Sequence, residues 1–122
     1  MTTILLVDDD ADIRELTAEI LRESGYDVVE AEDGQQALAA LVGMDTPPAL
    51  VLLDLIMPVM TGQQMLHEMR AIPRLSEVPV VALTAGGFRP ADVPDAQDVV
   101  RKPASVAVLL KVVEQFCKHG HA

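Results

Sequence analysis

Short apolar runs alternate along the chain with stretches in which apolar residues recur every three or four positions. This alternation predicts buried β-strands that are each followed by an amphipathic helix. The five predicted strands are residues 3–7, 26–31, 51–54, 78–83 and 98–101. The helical stripes are Ile13, Leu16, Ile20 and Leu21; Ala37, Leu38 and Leu41; Met65, Leu66, Met69 and Ile72; and Val106, Leu109, Leu110, Val113 and Phe116. Gly25 and Pro73 are typical of the ends of the first and third helices.

One stretch interrupts the alternation. Between the fourth and fifth strands the chain contains two glycines and two prolines, Gly86, Gly87, Pro90 and Pro94. Glycine and proline cost about 1 and 3 kcal/mol each in a helix interior. A fourth helix is therefore predicted to be shortened or irregular, with mostly loop and one short helical turn at most.

The alternating units predict an α/β fold. Right-handed crossovers between parallel strands place helices on both faces of a single sheet. We predict a (βα)5 doubly wound, flavodoxin-like sheet of five parallel strands in the order 2-1-3-4-5. In that order the carboxyl ends of the first and third strands lie side by side at the switch point, where ligands bind in open α/β sheets.

Length and charge limit the classes of function that the chain can have. The 122 residues, half of them apolar, predict one domain over residues 1–122 that buries about two-thirds of its unfolded surface. The net charge of −10 disfavours direct binding of nucleic acid or an anionic membrane. No apolar stretch is long enough for membrane insertion, and no signal peptide precedes the first strand. Cys117 is the single cysteine, so we expect a cytoplasmic protein without a disulfide framework.

Acidic residues end the two strands that meet at the switch point. Asp8 and Asp9 follow the first apolar run, and Asp54 ends the third. Two carboxylates about 4 Å apart repel by roughly 4 kcal/mol at a protein surface. Converging carboxylates therefore need a cation, and an all-oxygen site with few protein ligands suits Mg²⁺, with Mn²⁺ as an alternative.

Two further residues at strand ends extend this candidate site. Thr84 ends the fourth predicted strand and Lys102 follows the fifth. A hydroxyl and an ammonium that face a metal-bound carboxylate form a cradle for a phosphoryl group. Asp54 is the candidate nucleophile, which would form an aspartyl phosphate.

Each of these residues also has another interpretation. Residues 8–10 can be a solvated strand end with a helix cap, and Asp54 can be a turn residue before Pro58. Asp8, Asp10, Asp12 and Glu19 have the spacing of an EF-hand loop, although Ile13 replaces its glycine. A phosphatase of the haloacid dehalogenase type would use Asp8 and Asp10 and would leave Asp54 without a role.

The motifs in their order resemble the receiver domain of two-component response regulators over essentially the whole chain. The matching residues are 4–9, 31–38, 54–58 with Gly62, 84–85 and 102–103. The resemblance implies that Asp54 accepts phosphate from a sensor histidine kinase or a histidine phosphotransfer protein. It implies that Asp8, Asp9, Asp54 and the backbone carbonyl of Ile56 hold Mg²⁺, and that Thr84 and Lys102 contact the phosphoryl group.

The resemblance also implies a signalling protein rather than a conventional enzyme. Such a protein catalyses its own phosphorylation and slow dephosphorylation, and it switches contacts with a downstream protein target. A degenerate receiver that serves only as an interaction module is disfavoured, because all the acidic and basic site residues are present. We expect no output domain, so the chain is either a single-domain regulator or phosphorelay shuttle, which Met1 slightly favours, or a receiver from a larger protein.

The chain departs from the family on the output side. Receivers usually carry an aromatic residue three positions before the lysine, where this chain has Val99, a short side chain with restricted rotamers. The spacing of 18 residues between Thr84 and Lys102 is about one helical turn shorter than usual. We therefore expect conventional phosphorylation with a different output, in which a mobile connection carrying Phe88 is partly ordered by phosphorylation.

Overall fold

The computed structural model describes residues 2–57, 60–85, 89–102 and 105–117. The strands are β1 (Thr3–Val7), β2 (Asp27–Ala31), β3 (Leu50–Asp54), β4 (Val80–Thr84) and β5 (Asp98–Arg101). The helices are α1 (Ala11–Glu23), α2 (Gly34–Gly43), α3 (Gly62–Arg70) and α4 (Val106–Cys117), and single 3-10 turns occur at Pro73–Leu75 and Pro90–Asp92. None of the helices within these residues is long and apolar enough to cross a membrane.

The five strands form one parallel sheet in the order β2-β1-β3-β4-β5, which confirms the predicted topology. Val7 of β1 is paired with Leu53 of β3. Asp8, the first residue after β1, and Asp54, the last residue of β3, therefore lie side by side at the carboxyl edge of the sheet. β4 and β5 continue the sheet on the other side of β3.

Helices cover both faces of the sheet. Side chains of α1 and α4 pack with alternate residues of β1, β3 and β4 in one buried cluster, and α2 and α3 pack with the other alternate residues in a second. All five residues of β3 are buried. The continuous apolar run before Asp54 is explained by this burial, because a central parallel strand has no solvent-facing side.

Local signals set most element boundaries. The carboxylate of Asp10 accepts a hydrogen bond from the Ile13 amide at 3.1 Å and caps α1. Gly25 follows α1 with φ of 97°, the left-handed conformation that favours glycine. The predicted third helix was too long at its end, because α3 stops at Arg70. Ile72 is extended, since the residue before a proline disfavours the helical conformation.

Residues 85–97, which we call the β4–β5 connection, contain no fourth α-helix in their described part. Their regular structure is the 3-10 turn at Pro90–Asp92, so the prediction of a loop with one short helical turn is confirmed there. Phe88, which this connection carries, lies outside the described residues. Val99 packs partly buried against the cluster on the α2 and α3 side.

Candidate functional site

The carboxylates at the ends of β1 and β3 converge as predicted. Asp8 is 2% exposed and Asp54 is 6% exposed, whereas Asp9 is exposed. Because side chains alternate along a strand, Asp8 and Asp54 fall on the α1 and α4 side of the sheet, like Leu6 and Leu52. One carboxylate oxygen from each of the three aspartates lies within 4.8 Å of the other two.

Lys102 connects the two buried acids. Its Nζ lies 2.9 Å from Oδ2 of Asp8 and 3.5 Å from Oδ2 of Asp54. Burial alone would lower the pKa of Lys102, but the hydrogen bonds and charges of Asp8 and Asp54 outweigh it and raise that pKa above its usual value. Lys102 is therefore a cation at neutral pH, and it offsets part of the repulsion between the acids.

Asp54 has an unusual protonation equilibrium. Its pKa is raised from 3.8 to about 6, mainly by burial; the hydrogen bond from the Ile56 amide and the charge of Lys102 oppose this rise, and the charges of Asp8 and Asp9 contribute to it. The Ile56 N–H donates to Oδ1 of Asp54 at 3.1 Å. Asp54 is thus mostly ionised at pH 7, yet it is a stronger base than an ordinary aspartate.

Hydrogen bonds hold Asp8 on several sides. Its Oδ1 accepts from the Asp10 amide at 3.0 Å, and its own amide donates to the carbonyl of Ala31 at 3.1 Å. Its carbonyl oxygen accepts from Nη1 of Arg14 at 2.8 Å. Arg14 was not predictable as a partner of this strand end, because a single arginine within a helical stripe belongs to no motif that points to one.

Gly62 permits the close approach of α3 to the end of β3. A Cβ at this position would lie 2.4 Å from the carbonyl oxygen of Asp54 and 2.7 Å from Cα of Leu55. The Gly62 amide donates to the Leu55 carbonyl at 3.1 Å. Glycine is thus required so that α3 can begin against the backbone that carries Asp54.

Thr84 and Ile56 lie near the acids, but their predicted roles stay predictions. Thr84 is buried at the end of β4, and its carbonyl accepts from the Lys102 amide at 2.8 Å. Ile56 is 57% exposed in the loop after β3.

The structure distinguishes between the alternative interpretations of the acidic residues near β1. Asp10 is the helix cap, whereas Asp8 is buried and bonded to Lys102. An EF-hand loop is excluded because α1 begins at Ala11, so Asp12 and Glu19 lie within a helix. The three clustered carboxylates, all hard oxygen ligands on one side of a strand edge, fit a magnesium ion.

The sheet order and the charged groups at its strand ends define a doubly wound α/β domain with an acidic site at the switch point. A family model for the response regulator receiver domain matches residues 4–114. The chain therefore belongs to the receiver-domain family of two-component response regulators, as its motifs predicted.

Three similar proteins illustrate this relation. The phosphate regulon transcriptional regulatory protein PhoB of Pseudomonas aeruginosa is 37% identical over 107 residues, which cover 84% of this chain and 46% of PhoB. The chemotaxis response regulator CheY4 of Vibrio cholerae has a TM-score of 0.86 at 29% identity, with 95% of this chain and 98% of CheY4 covered. TrrA of Thermotoga maritima, solved with Mg²⁺-BeF, has a TM-score of 0.84 at 32% identity, with 95% and 99% covered. The chain spans about half the length of the curated relatives it matches, or less.

Proposed function

We propose that this receiver accepts a phosphoryl group on Asp54 from the phosphohistidine of a sensor histidine kinase or histidine phosphotransfer protein. The observation that carries the proposal is the position of Asp54 within the acidic cluster. Its carboxylate lies within 4.8 Å of oxygens of Asp8 and Asp9 and 3.5 Å from Nζ of Lys102. Acids and a cation thus converge on one carboxylate at a sheet edge.

The proposed transfer is an attack by an ionised oxygen of Asp54 on the phosphorus of the donor. The P–N bond breaks, its electron pair stays on the imidazole of the donor, and an acyl phosphate forms on Asp54. With a pKa of about 6, Asp54 is still mostly ionised at neutral pH in the absence of metal, and its carboxylate is more basic than that of an exposed aspartate. Slow hydrolysis of the acyl phosphate would use the same groups, so the protein would catalyse both steps on itself.

Asp8, Asp9, Asp54 and the carbonyl of Ile56 are the proposed magnesium ligands. When bound, Mg²⁺ would neutralise negative charge on the phosphoryl oxygens. Lys102 supplies a second positive charge, because its hydrogen-bonded ammonium stays protonated. Thr84, at the end of the neighbouring strand, is proposed to donate a hydrogen bond to the phosphoryl group. The TrrA structure with Mg²⁺-BeF supports a metal in this kind of site.

The first test is phosphorylation by acetyl phosphate with Mg²⁺, followed by intact-mass measurement. The expected result is one phosphoryl group per chain, labile to hydroxylamine, and none in EDTA. Asp54→Asn should abolish labelling. Asp10→Asn is the matched control: it changes a nearby acid that only caps α1, and asparagine is an equally good cap, so labelling should persist.

One result would overturn the assignment of Asp54. If Asp54→Asn were labelled fully and Asp8→Asn were not, Asp8 would be the acceptor, as in a phosphatase of the haloacid dehalogenase type. Labelling of both variants would move the acceptor to another residue.

The second test concerns the metal alone. Mg²⁺ that binds only the folded chain raises the melting temperature by mass action. Asp9→Ala should remove most of that rise without unfolding the protein, because the Asp9 side chain is exposed. An unchanged rise would place the metal at other residues.

The output of phosphorylation is proposed to be a changed contact with a downstream protein. The Val99 position and the β4–β5 connection lie next to Thr84 and Lys102 along the sheet. A change in the position of Thr84 would therefore reach this side of the molecule first. Retention of the chain on an immobilised partner only in the presence of Mg²⁺ and beryllofluoride would support this output, and equal retention without them would oppose it.

A further inference from the structure

Arg14 joins three segments of the chain at the amino-terminal part of α1. Its side chain is 13% exposed, although arginine is usually a surface residue. Nη1 donates to the carbonyl oxygen of Asp8 at 2.8 Å, and Nε donates to Oε1 of Glu30 at 3.3 Å. One guanidinium thus links α1 to the end of β1 and to β2.

The carbonyl that Arg14 contacts belongs to the peptide group between Asp8 and Asp9. Because a peptide group is planar, holding its oxygen restricts the orientation of the whole group and of the two Cα atoms that carry the side chains. Glu30 in turn fixes the guanidinium, since the planar fork of arginine can donate in two directions at once. Arg14 therefore acts on the geometry of both acids without touching either carboxylate.

We propose that Arg14 is a positioning residue for magnesium binding, which holds the peptide between Asp8 and Asp9 in the orientation that the metal requires. The inference rests on the magnesium site proposed above. Groups that orient metal ligands typically contribute about 10- to 100-fold to metal affinity.

The sign of the effect separates positioning from simple charge. A guanidinium near an acidic cluster repels Mg²⁺, so its removal should strengthen metal binding if charge were its only influence. If Arg14 positions the peptide, its removal should weaken metal binding despite the loss of this repulsion. The two roles predict opposite results.

The chain contains a matched control on the same helix. Arg22 also donates to Glu30, through Nη2 to Oε2 at 3.3 Å. Its second acceptor is the carbonyl of Val28 at 3.0 Å, which is away from the acids, and its side chain is 50% exposed. Arg22→Gln thus removes an equal charge and a bond to the same carboxylate, but it leaves the Asp8 carbonyl untouched.

The experiment is a calorimetric titration of the protein with MgCl₂ in the absence of a phosphoryl donor. Arg14→Gln should weaken Mg²⁺ binding about tenfold, whereas Arg22→Gln should leave it unchanged or slightly stronger. Arg14→Lys keeps the charge but not the fork, so it should restore only part of the affinity. If Arg14→Gln fails to fold, Arg14→Lys decides the question by the same comparison with Arg22→Gln.

A second measurement does not depend on metal. In metal-free protein, amide hydrogen exchange at Asp10 reports the loop, because this amide donates to Oδ1 of Asp8 at 3.0 Å. Arg14→Gln should accelerate that exchange and Arg22→Gln should not. Equal or tighter Mg²⁺ binding by Arg14→Gln would overturn the proposal. If the parent protein bound no Mg²⁺, the magnesium site would fail, and unchanged exchange at Asp10 would then overturn the positioning role as well.

Discussion

Two regions of this receiver each depend on one long basic side chain, and they use it for different purposes. At the acidic edge, Lys102 bonds to the carboxylates of Asp8 and Asp54. Beside the β4–β5 connection, Arg70 bonds to backbone carbonyls instead. Its acceptors include the carbonyls of Asp95, Leu75, Ser76 and Val78, at 2.8 to 3.3 Å.

The acceptors of the two side chains differ: Lys102 binds charged carboxylates, whereas Arg70 binds neutral backbone carbonyls. The acids at the edge oppose their own burial, which raises the pKa of Asp54. The carbonyls near Arg70 are neutral groups in the segments that precede β4 and β5. A bound cation can replace the charge that Lys102 provides, whereas no ligand of the site can replace the bonds of Arg70. The proposed role of the edge is therefore binding, whereas Arg70 links the segment before β4 to residues 95 and 97 of the β4–β5 connection.

The largest effect should come from crowding the acidic edge. Gly62→Ala would place a methyl group 2.4 Å from the Asp54 carbonyl oxygen, so the backbone must shift, at a cost of about 3 kcal/mol. Both stability in urea and phosphorylation of Asp54 should fall. Gly43→Ala is the control, because a Cβ there has no neighbour within 4 Å. Equal stability of the two variants would show that the edge tolerates movement.

Loss of Arg70 should affect stability without loss of function. Arg70→Met leaves several carbonyls without their donor, and the free energy of unfolding should fall by about 2 kcal/mol. Amides of residues 95–97 should exchange faster, while Asp54 should still be phosphorylated. Arg89→Met is the control, since Arg89 is 79% exposed and contacts Asp92 alone among the described ion pairs. A loss of phosphorylation in Arg70→Met would contradict the division between the two regions.

The pH dependence of the free energy of unfolding should reveal the cost of burying the ionised carboxylate of Asp54. Its pKa rises from 3.8 to about 6 on folding, so the folded state binds the proton more tightly than the unfolded state. This group therefore costs no stability below about pH 4, and the cost grows as pH rises through 6. In metal-free buffer at pH 7.5, Asp54→Asn should be more stable by about 1 kcal/mol.

The gain from Asp54→Asn should vanish towards pH 4, as measured by urea denaturation across the pH range. Asp45→Asn, at an exposed loop position, should change stability little at either pH. A gain of the same size at pH 4 and pH 7.5 would argue against a burial cost of the ionised carboxylate.

The smallest expected effect is a change in hydrogen exchange in the β4–β5 connection when a phosphoryl mimic binds at the acidic edge. Beryllofluoride with Mg²⁺ should slow hydrogen exchange at Ala85 and at residues 89–93, which follow Thr84. Residues 95–97 should change less, because Arg70 and Gln97 already hold them: Oε1 of Gln97 accepts from the Val80 amide at 2.6 Å. Asp54→Asn should show no response. Equal hydrogen exchange with and without beryllofluoride would show that the β4–β5 connection does not respond to the state of Asp54.

The fold was predictable from local features of the sequence, namely apolar runs and helix-ending residues. A continuous apolar run before Asp54 indicated a central strand, and β3 is buried throughout. Gly25 marked the end of α1 correctly, because helix caps involve residues only a few positions apart. The predicted end of α3 was wrong. The helical spacing of apolar residues continues to Ile72, but the backbone at this residue, before Pro73, is extended.

The acidic edge was predictable for a related reason. The order β2-β1-β3-β4-β5 brings Asp8, Asp9 and Asp54 together. The alternation of strands and helices predicted a parallel sheet, and among the common orders of such sheets the order 2-1-3-4-5 was the one that placed these acids side by side. The roles of Arg14 and Arg70 were not predictable in this way. Arg14 reaches Glu30 across 16 residues, and Arg70 reaches Asp95 across 25.

The sequence by itself determined the elements, their order and the residues at the strand ends, because these depend on short-range patterns and on the handedness of crossovers. Only the tertiary structure decided which backbone carbonyls the arginines bind, and why a side chain cannot replace the hydrogen of Gly62. Such contacts depend on distances of a few ångströms between distant segments. Packing sets these distances, and no periodicity along the chain records them.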